Sequence, residues 1–340
     1  MSLKIIHTYA DYPEIVNDYF DFNNLDAFQS REVLNVIYGD NWESFIILDD
    51  KNVFIHTFSR NRINNSEYFD IEPFLGYSGP IVIAENEEFI NTAIESYSAF
   101  CRKEMIIAEV LRFNPILKNH ICFEKSSIKI SPVKEIVVAN CNRNGDLQLS
   151  EFSKSRKRDI KTALKSLKIE ICGSPFNYKE FYELYIDNLN RNNAKKEWYF
   201  PESFFLNISK NKFFYLFKVV DQNNRIHSAS IFILHSLCSY YFLAANNYPG
   251  LSGANDLLIF EMCKFAAEKG SDKLVLGGGN TSRSDDPLLL YKKKFNSQNN
   301  FLYLGKLVHN NKVFESFCNN IITQRPELSA SNYFLKYRLL

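Results

Sequence analysis

The sequence predicts an α/β protein built from two copies of one unit. Three observations carry that expectation. The chain has 340 residues, enough for two domains of ordinary size. Strand-like and helix-like segments alternate along each half. The two halves also coincide in order when laid over each other at an offset of about 171 residues, half the chain length.

In the first half, Ser44–Leu48 and Val53–Phe58 are apolar, β-branched and aromatic. The Asp-Asp-Lys-Asn turn between them makes a hairpin. Ile81–Ala84 reads as a short strand, Glu87–Lys103 as an amphipathic helix and Met105–Phe113 as another strand. Glu87 and Glu88 sit in that helix's first turn, where its dipole favours them. In the second half, Phe214–Val220 and Ile226–Leu234 flank the turn Asp221–Arg225, and Ser239–Ala245 is the next strand. A helix at 254–269 is stopped by Gly270, and Lys273–Leu276 follows. At the offset, the turn at Asp50 falls on Asp221 and Ile55-His56 on Ile226-His227. The expected division is an N-terminal domain at 1–145 and a C-terminal domain at 146–340.

Composition narrows the function classes. With 46% hydrophobic and 15% aromatic residues, the chain buries a sizeable core, which excludes disordered and low-complexity classes. Forty basic against thirty-nine acidic side chains leave a charge of +1, so no chain-wide field draws DNA or an anionic membrane. Seven scattered cysteines without a CxxC pair argue against a disulfide framework or a structural zinc, and for reduced core thiols. No metal site is expected. The N-terminus has too short an apolar stretch for a secretory signal. The greasiest segment, Ile231–Ala245, is too short to span a membrane and reads as two strands and a turn. A soluble, cytoplasmic protein without a transmembrane segment is expected.

One local charge imbalance stands out. From Lys154 to Lys168 there are seven basic residues and one acid, Asp159. Ile160, Ala163, Leu164 and Leu167 recur at helical spacing as a buried stripe, leaving most of the cations on the opposite face. That face is either simply solvated or binds an anion. His56 and His227 lie in apolar strands and read as core histidines rather than bases.

Several segments together resemble a known group. Phe152-Ser-Lys-Ser-Arg-Lys-Arg-Asp-Ile160 is similar to the "F-S-K-x-x-R-R-x-I" helix of FemABX-like acyltransferases. Tyr185-Ile-Asp-Asn-Leu-Asn-Arg191 and Tyr199-Phe-Pro-Glu-Ser-Phe-Phe205 resemble the group's next two helices. The stretch from Ala254 to Gly270 resembles its "a-x-x-L-L-x-w-E" helix, and Leu274-Val-Leu-Gly-Gly278 its "y-D-l-G-G", with Val275 in place of Asp. Tyr291-Lys-Lys-Lys-Phe-Asn296 resembles "F-K-x-x-F-G", placing Lys292 at the group's lysine. In the first half Phe28-Gln-Ser30, Tyr77-Ser-Gly-Pro80 and Glu109-Val-Leu-Arg-Phe113 resemble its "F-x-Q-S-x-x-W", "Y-x-G-P" and "E-x-R", with Val33 in place of Trp.

The resemblance implies tandem GNAT-like domains, the acyl-CoA N-acyltransferase fold, with mixed sheets. It implies a bacterial transferase of cell-envelope biogenesis. Such an enzyme moves an acyl or aminoacyl group from an activated carrier, acyl-CoA or aminoacyl-tRNA, to an amine. The acceptor would be an amino-sugar nucleotide, a lipid-linked sugar or a peptidoglycan peptide, with tRNA as a candidate partner and no tightly bound cofactor. In that fold two strands splay, and an amide on one of them faces the reacting carbonyl. Here that strand is Ser239–Ala245, with Tyr241 facing the acceptor and Ala244 the donor. Lys292 is expected to stabilise charge at the carbonyl, and Asp286 to accept the amine's proton. Gly250 and Gly253 precede a helix N-terminus, the natural place for a carrier's phosphates, although their spacing departs from the CoA-binding pattern. Gly277-Gly-Gly-Asn280 offers amides to a diphosphate, with Asn280 touching the substrate. Arg156, Arg112 and Tyr77 are expected to line an acceptor cleft, because a guanidinium suits phosphate. The alternative is a non-catalytic binding or assembly protein that retains the fold, as Val275 and Val33 would fit.

Overall fold

The computed structural model describes residues 3–19, 21, 25–73, 75–84 and 86–339. The chain forms two compact units. The first comprises Met1–Asp21, Tyr38–Val133 and Leu302–Leu340, the second Phe22–Ile37 and Lys134–Phe301. Two segments thus pack apart from their neighbours in sequence: residues 22–37 belong to the second unit and 302–340 to the first.

In the first unit, strands Lys4–Tyr9, Glu43–Leu48, Val53–Phe58 and Ile81–Ile83 lie side by side, each antiparallel to the next. The expected hairpin is present in register Leu48↔Val53. Its turn is fixed by Asp49, whose Oδ1 accepts the N–H of Lys51 at 2.9 Å and of Asn52 at 2.7 Å, an aspartate mimicking a backbone turn. The helix Glu87–Lys103 starts where Asn86 Oδ1 caps the Phe89 N–H at 2.9 Å; a cap of this kind satisfies an orphan donor. Strand Ile106–Arg112 then pairs parallel with Phe69–Ile71 and antiparallel with residues 304–308. Phe45, Phe54, Tyr97, Phe113 and Phe123 fill the core.

Within that core lies a wholly buried carboxylate. Glu109 is hydrogen-bonded to His56 and to the Tyr97 hydroxyl (3.0 Å), with His309 Nε2 at 3.6 Å. Burial alone would raise the Glu109 carboxyl, but the fields and hydrogen bonds of His56 and His309 outweigh it and hold it at about 2.

In the second unit the strand order is 134–140 of strand Lys129–Asn140, then Lys273–Gly278, Ser239–Asn246, Ile226–Ile233, Phe214–Val220 and Lys168–Gly173. All neighbours are antiparallel except Ser239–Asn246 and Lys273–Gly278, which run parallel. The sheet is therefore mixed, as expected. The repeat is visible in the topology: 168–173, 214–220, 226–233 and 239–246 follow one another as 4–9, 43–48, 53–58 and 81–83 do in the first unit.

The helix Ala254–Glu268 is buried on most faces, through Leu257, Leu258, Ile259, Met262 and Cys263, and a left-handed Gly270 (φ 90°) ends it as the sequence implies. The basic helix is shorter than expected. It covers Lys154–Ala163, and Lys168 already opens an edge strand. Ile160, Ala163 and Leu167 are buried, but Leu164 follows the last helical residue and is 50% exposed, because the 3.6-residue period no longer holds it against the core. Of the seven cysteines only Cys101, Cys238 and Cys263 are core thiols; Cys122 is exposed and the rest are half-buried. Among the described residues no helix is long and apolar enough to cross a membrane.

Candidate active site

The two parallel strands of the second unit part almost at once. Ser239 pairs with Leu274 and Tyr240 with Val275, and there the ladder ends. On its other edge Ser239–Asn246 stays paired with Ile226–Ile233, with a register shift that leaves Phe242 bulged between Tyr241 and Leu243. A bulge twists a strand and re-aims its groups. From Tyr241 onward one edge of the strand is released from the ladder with 273–278.

Lys292 stands at the other arm of this fork. It ends the short helix Pro287–Lys292 and points back to the strand Lys273–Gly278 beyond its last pair with 239–246. Its Nζ donates to the Gly278 carbonyl at 2.8 Å, and a Cβ built on Gly277 would lie 3.7 Å from it. The side chain is buried. Burial, with Lys134 adding to it, lowers the ammonium to about 8. An ammonium has three donors and only one is spent on Gly278.

A chain of polar side chains runs beside the fork. The Tyr241 hydroxyl donates to Asn255 Oδ1 at 3.0 Å, which also accepts from Ser228 Oγ at 3.1 Å. Asn255 Nδ2 donates to the Tyr291 hydroxyl at 2.8 Å, and that hydroxyl donates to Asp256 Oδ1 at 2.6 Å. Arg156 Nη1 reaches both Asp256 oxygens at 2.6 Å and Nη2 reaches Asp159 at 3.0 Å. Burial and the Asp256 carboxylate push the Tyr291 phenol far up, so it remains a donor. Tyr291 is the residue before Lys292, which ties the network to the fork through one short helix.

Several sequence expectations change meaning here. Arg156 is committed to Asp256 and stacked over the Tyr291 ring at 5.3 Å; its fork is occupied by protein carboxylates. Asp286 is the N-cap of helix Pro287–Lys292. One oxygen accepts the N–H of Leu288 (2.9 Å) and Leu289 (3.1 Å), the other the N–H and hydroxyl of Thr281, both at 2.9 Å. Burial would raise this carboxyl, yet those bonds bring it to about 2. Such a carboxylate is a poor acceptor for an ammonium's proton. The glycine run has a packing reason: a Cβ on Gly279 would lie 2.3 Å from Asp286 Oδ1. Gly253 (φ 82°) likewise packs so closely on helix Lys154–Ala163 that a Cβ would meet the Asp159 carbonyl oxygen at 2.6 Å. The helix end beyond it carries Asp256 in its first turn, already paired with Arg156. Gly250 and Asn280 are exposed, and Ala244 is half-buried on the released strand. Arg112 and Tyr77 lie in the first unit, where Arg112 Nη1 donates to the Gly76 carbonyl at 3.3 Å and Tyr77 is half-buried. His56 engages the buried Glu109, and His227 the half-buried turn residue Asp221 at 3.0 Å.

No protein-family model matches the chain and no curated protein sequence does. Solved structures do match. A FemX crystal structure superposes with a TM-score of 0.67 at 15% identity, over 86% of this chain and 94% of that one. The fold is FemX-like. L-PGS from Bacillus licheniformis gives 0.54 at 13% identity, over 86% and 91% of the two chains. A tandem GNAT protein from the clavulanic acid biosynthesis pathway gives 0.53 at 7%, over 91% and 99%. The FemX-like architecture is thus the tandem GNAT fold that the sequence implied.

Within this FemX-like frame, sequence reasoning missed Asn255, Asp256, Tyr291 and Ser228. The signal available was position: Asn255-Asp256 open the helix after the released strand, and Tyr291 precedes the motif lysine. Nothing in the sequence alone pairs Asp256 with Arg156, 100 residues away.

Proposed function

We propose that the protein is an aminoacyltransferase of cell-envelope synthesis, which moves an aminoacyl group from tRNA to the amine of a peptidoglycan or amino-sugar precursor. The observation that carries this reading is the fork at Tyr240/Val275 with the Lys292 ammonium at its edge. A neutral acceptor amine attacks the ester carbonyl of the donor, the C–N bond forms, and the C–O bond to the ribose breaks. The amine's proton goes to solvent and the leaving oxygen takes one back. The developing oxyanion is met by an amide of the strand Tyr241–Ala245 and by a free donor of Lys292. In a buried site each is stronger than in water. Tyr241 and Ala244 line the two sides of the released strand.

Aminoacyl-tRNA is favoured over acyl-CoA because Gly250 and Gly253 depart from the spacing of the CoA-binding pattern, and Gly253 is spent on packing against the helix Lys154–Ala163 rather than on a carrier's phosphates. In this reading 1–145 and 146–340 are tandem copies of one ancestral unit, and the protein works in the bacterial cytoplasm. The test is turnover with purified protein, a UDP-linked amino-sugar peptide as acceptor, and either charged tRNA or acyl-CoA as donor. Transfer from charged tRNA alone is the expected result. Transfer from acyl-CoA alone overturns the donor assignment, and no transfer from any donor favours a binding protein.

A further inference from the structure

We propose that the loop 247–252 and the end of the basic helix form a docking surface for an anionic phospholipid bilayer. Tyr248 is 75% exposed, Leu164 50% and Leu251 46%. Single exposed apolar residues need no explanation, but these three share one piece of surface. The loop leads from strand Ser239–Asn246 to helix Ala254–Glu268, and its last residue, Gly253, is packed against Asp159 and Ala163. Leu164, the residue after Ala163, therefore stands beside the loop.

Cations surround this apolar tip. The Arg191 guanidinium donates to the Asn246 carbonyl and lies 5.7 Å over the Tyr248 ring. Arg225 Nη2 donates to the Pro249 carbonyl at 3.3 Å. Lys161 and Lys165 are exposed next to Leu164, and Lys168 reaches Asn224, the neighbour of Arg225, at 3.3 Å. Two acids of the same region are already engaged: Asp159 by Arg156 and Arg158, and Asp221 by His227. These basic side chains give the tip a cationic rim, although the chain's net charge is only +1.

Both an RNA and a bilayer would answer that field. RNA would use the cations and stack on Tyr248, but a leucine has neither a charge nor a flat face to offer it. At a membrane surface every member of the patch finds its medium. Leucines enter the acyl boundary, tyrosine sits at headgroup level, and lysine and arginine meet lipid phosphates. The two exposed leucines decide for the bilayer. Tyr248, Leu251, Leu164 and the cations around them belong neither to the fork nor to its network, so the proposal stands apart from the transfer reaction.

Sedimentation of the full-length protein with vesicles tests it. Binding is expected to vesicles of phosphatidylglycerol and phosphatidylcholine in equal parts, to weaken with salt, and to be slight with phosphatidylcholine alone. Each lysine near an anionic surface contributes roughly fivefold, so Lys161→Gln with Lys165→Gln should weaken binding about 25-fold. Tyr248→Ser with Leu251→Ser should cost roughly tenfold or more, with the thermal unfolding curve unchanged. Failure to sediment with the anionic vesicles overturns the proposal. So does binding that ignores the Tyr248 and Leu251 changes. A duplex RNA that binds instead, and is lost only in the lysine pair, assigns the surface to nucleic acid and overturns it as well.

Discussion

Arg156 Nη1 lies 2.6 Å from both carboxylate oxygens of Asp256, joining the basic helix to the first turn of the helix that follows the released strand. The side chains are 13% and 5% exposed, so the pair is largely shielded from water. An arginine that the sequence offers to a phosphate is already bound by the protein.

Removing one partner of a buried pair leaves the other charge uncompensated, which costs ~3–5 kcal/mol. Arg156→Ala should lower unfolding stability by that order, and the Arg156→Ala, Asp256→Ala double variant by less than the sum of the singles. Urea unfolding of the four proteins measures it. A stability unchanged by Arg156→Ala, with acceptor binding lost, would return Arg156 to substrate recognition.

The Glu109 cluster makes a pH prediction for the first unit. Its carboxyl falls from an ordinary 4.5 to about 2 in the folded chain. A depressed acid contributes stability that is complete above 4.5 and lost as pH falls through 2, because the unfolded chain binds the proton first. Glu109→Gln should therefore unfold more easily at neutral pH, by ~3 kcal/mol, and show a flatter stability curve between those two pH values. Equal slopes in the two proteins would mean that another group governs the acid limb.

Much of this fold was legible because its elements are locally determined. The hairpin at Asp49–Asn52, the helix Glu87–Lys103 with its Asn86 cap and the Gly270 stop each rest on a few adjacent residues. The two-copy α/β plan followed from the order of such elements, and the GNAT-like sheets from the resemblance. The placement of residues 22–37 and 302–340 was hidden, since packing between distant segments leaves no periodic trace. At the candidate site the sequence singled out Lys292 through its motif and Tyr241 through the strand Ser239–Ala245, and the structure puts Lys292 against Gly278 and Tyr241 just past the last pair of the fork. The cap role of Asp286 was not legible, because an N-cap aspartate over a glycine and a catalytic aspartate beside a phosphate loop use the same residue types. Only the four bonds on the Asp286 oxygens separate the two.

That distinction can be measured. Asparagine caps a helix about as well as aspartate but cannot accept the amine's proton. Asp286→Asn should keep kcat within a few-fold and leave the pH–rate profile unshifted, while Asp286→Leu should lose both the cap and the fold of the 279–292 segment. A large kcat loss in the asparagine variant with an unchanged melting temperature would make Asp286 the base after all.

Lys292 should trade stability for catalysis. Burial, with Lys134 adding, holds its ammonium at about 8 against an ordinary 10.5. A lysine charged less easily in the folded chain destabilises that chain below 8, and the penalty is relieved as pH rises from 8 to 10.5, where only the unfolded chain still holds the proton. Wild-type stability should climb through that window by up to ~3 kcal/mol, and Lys292→Met should be more stable at pH 7 by a similar amount and lack the climb. Kinetics should move the other way. If the ammonium meets charge that grows at the carbonyl, kcat falls by ~10²–10³ in Lys292→Met with KM little changed, as for one lost oxyanion donor. Wild-type kcat should also decline as pH passes about 8, when the proton that Lys292 must hold is lost. Lys293 is paired with Glu135 at 2.7 Å and Lys294 is exposed, so their alanine variants should keep most of the activity. Three equal, small losses, or a Lys292→Met protein no more stable than wild type, would show an ordinary solvated lysine and remove the fork's one buried cation from the mechanism.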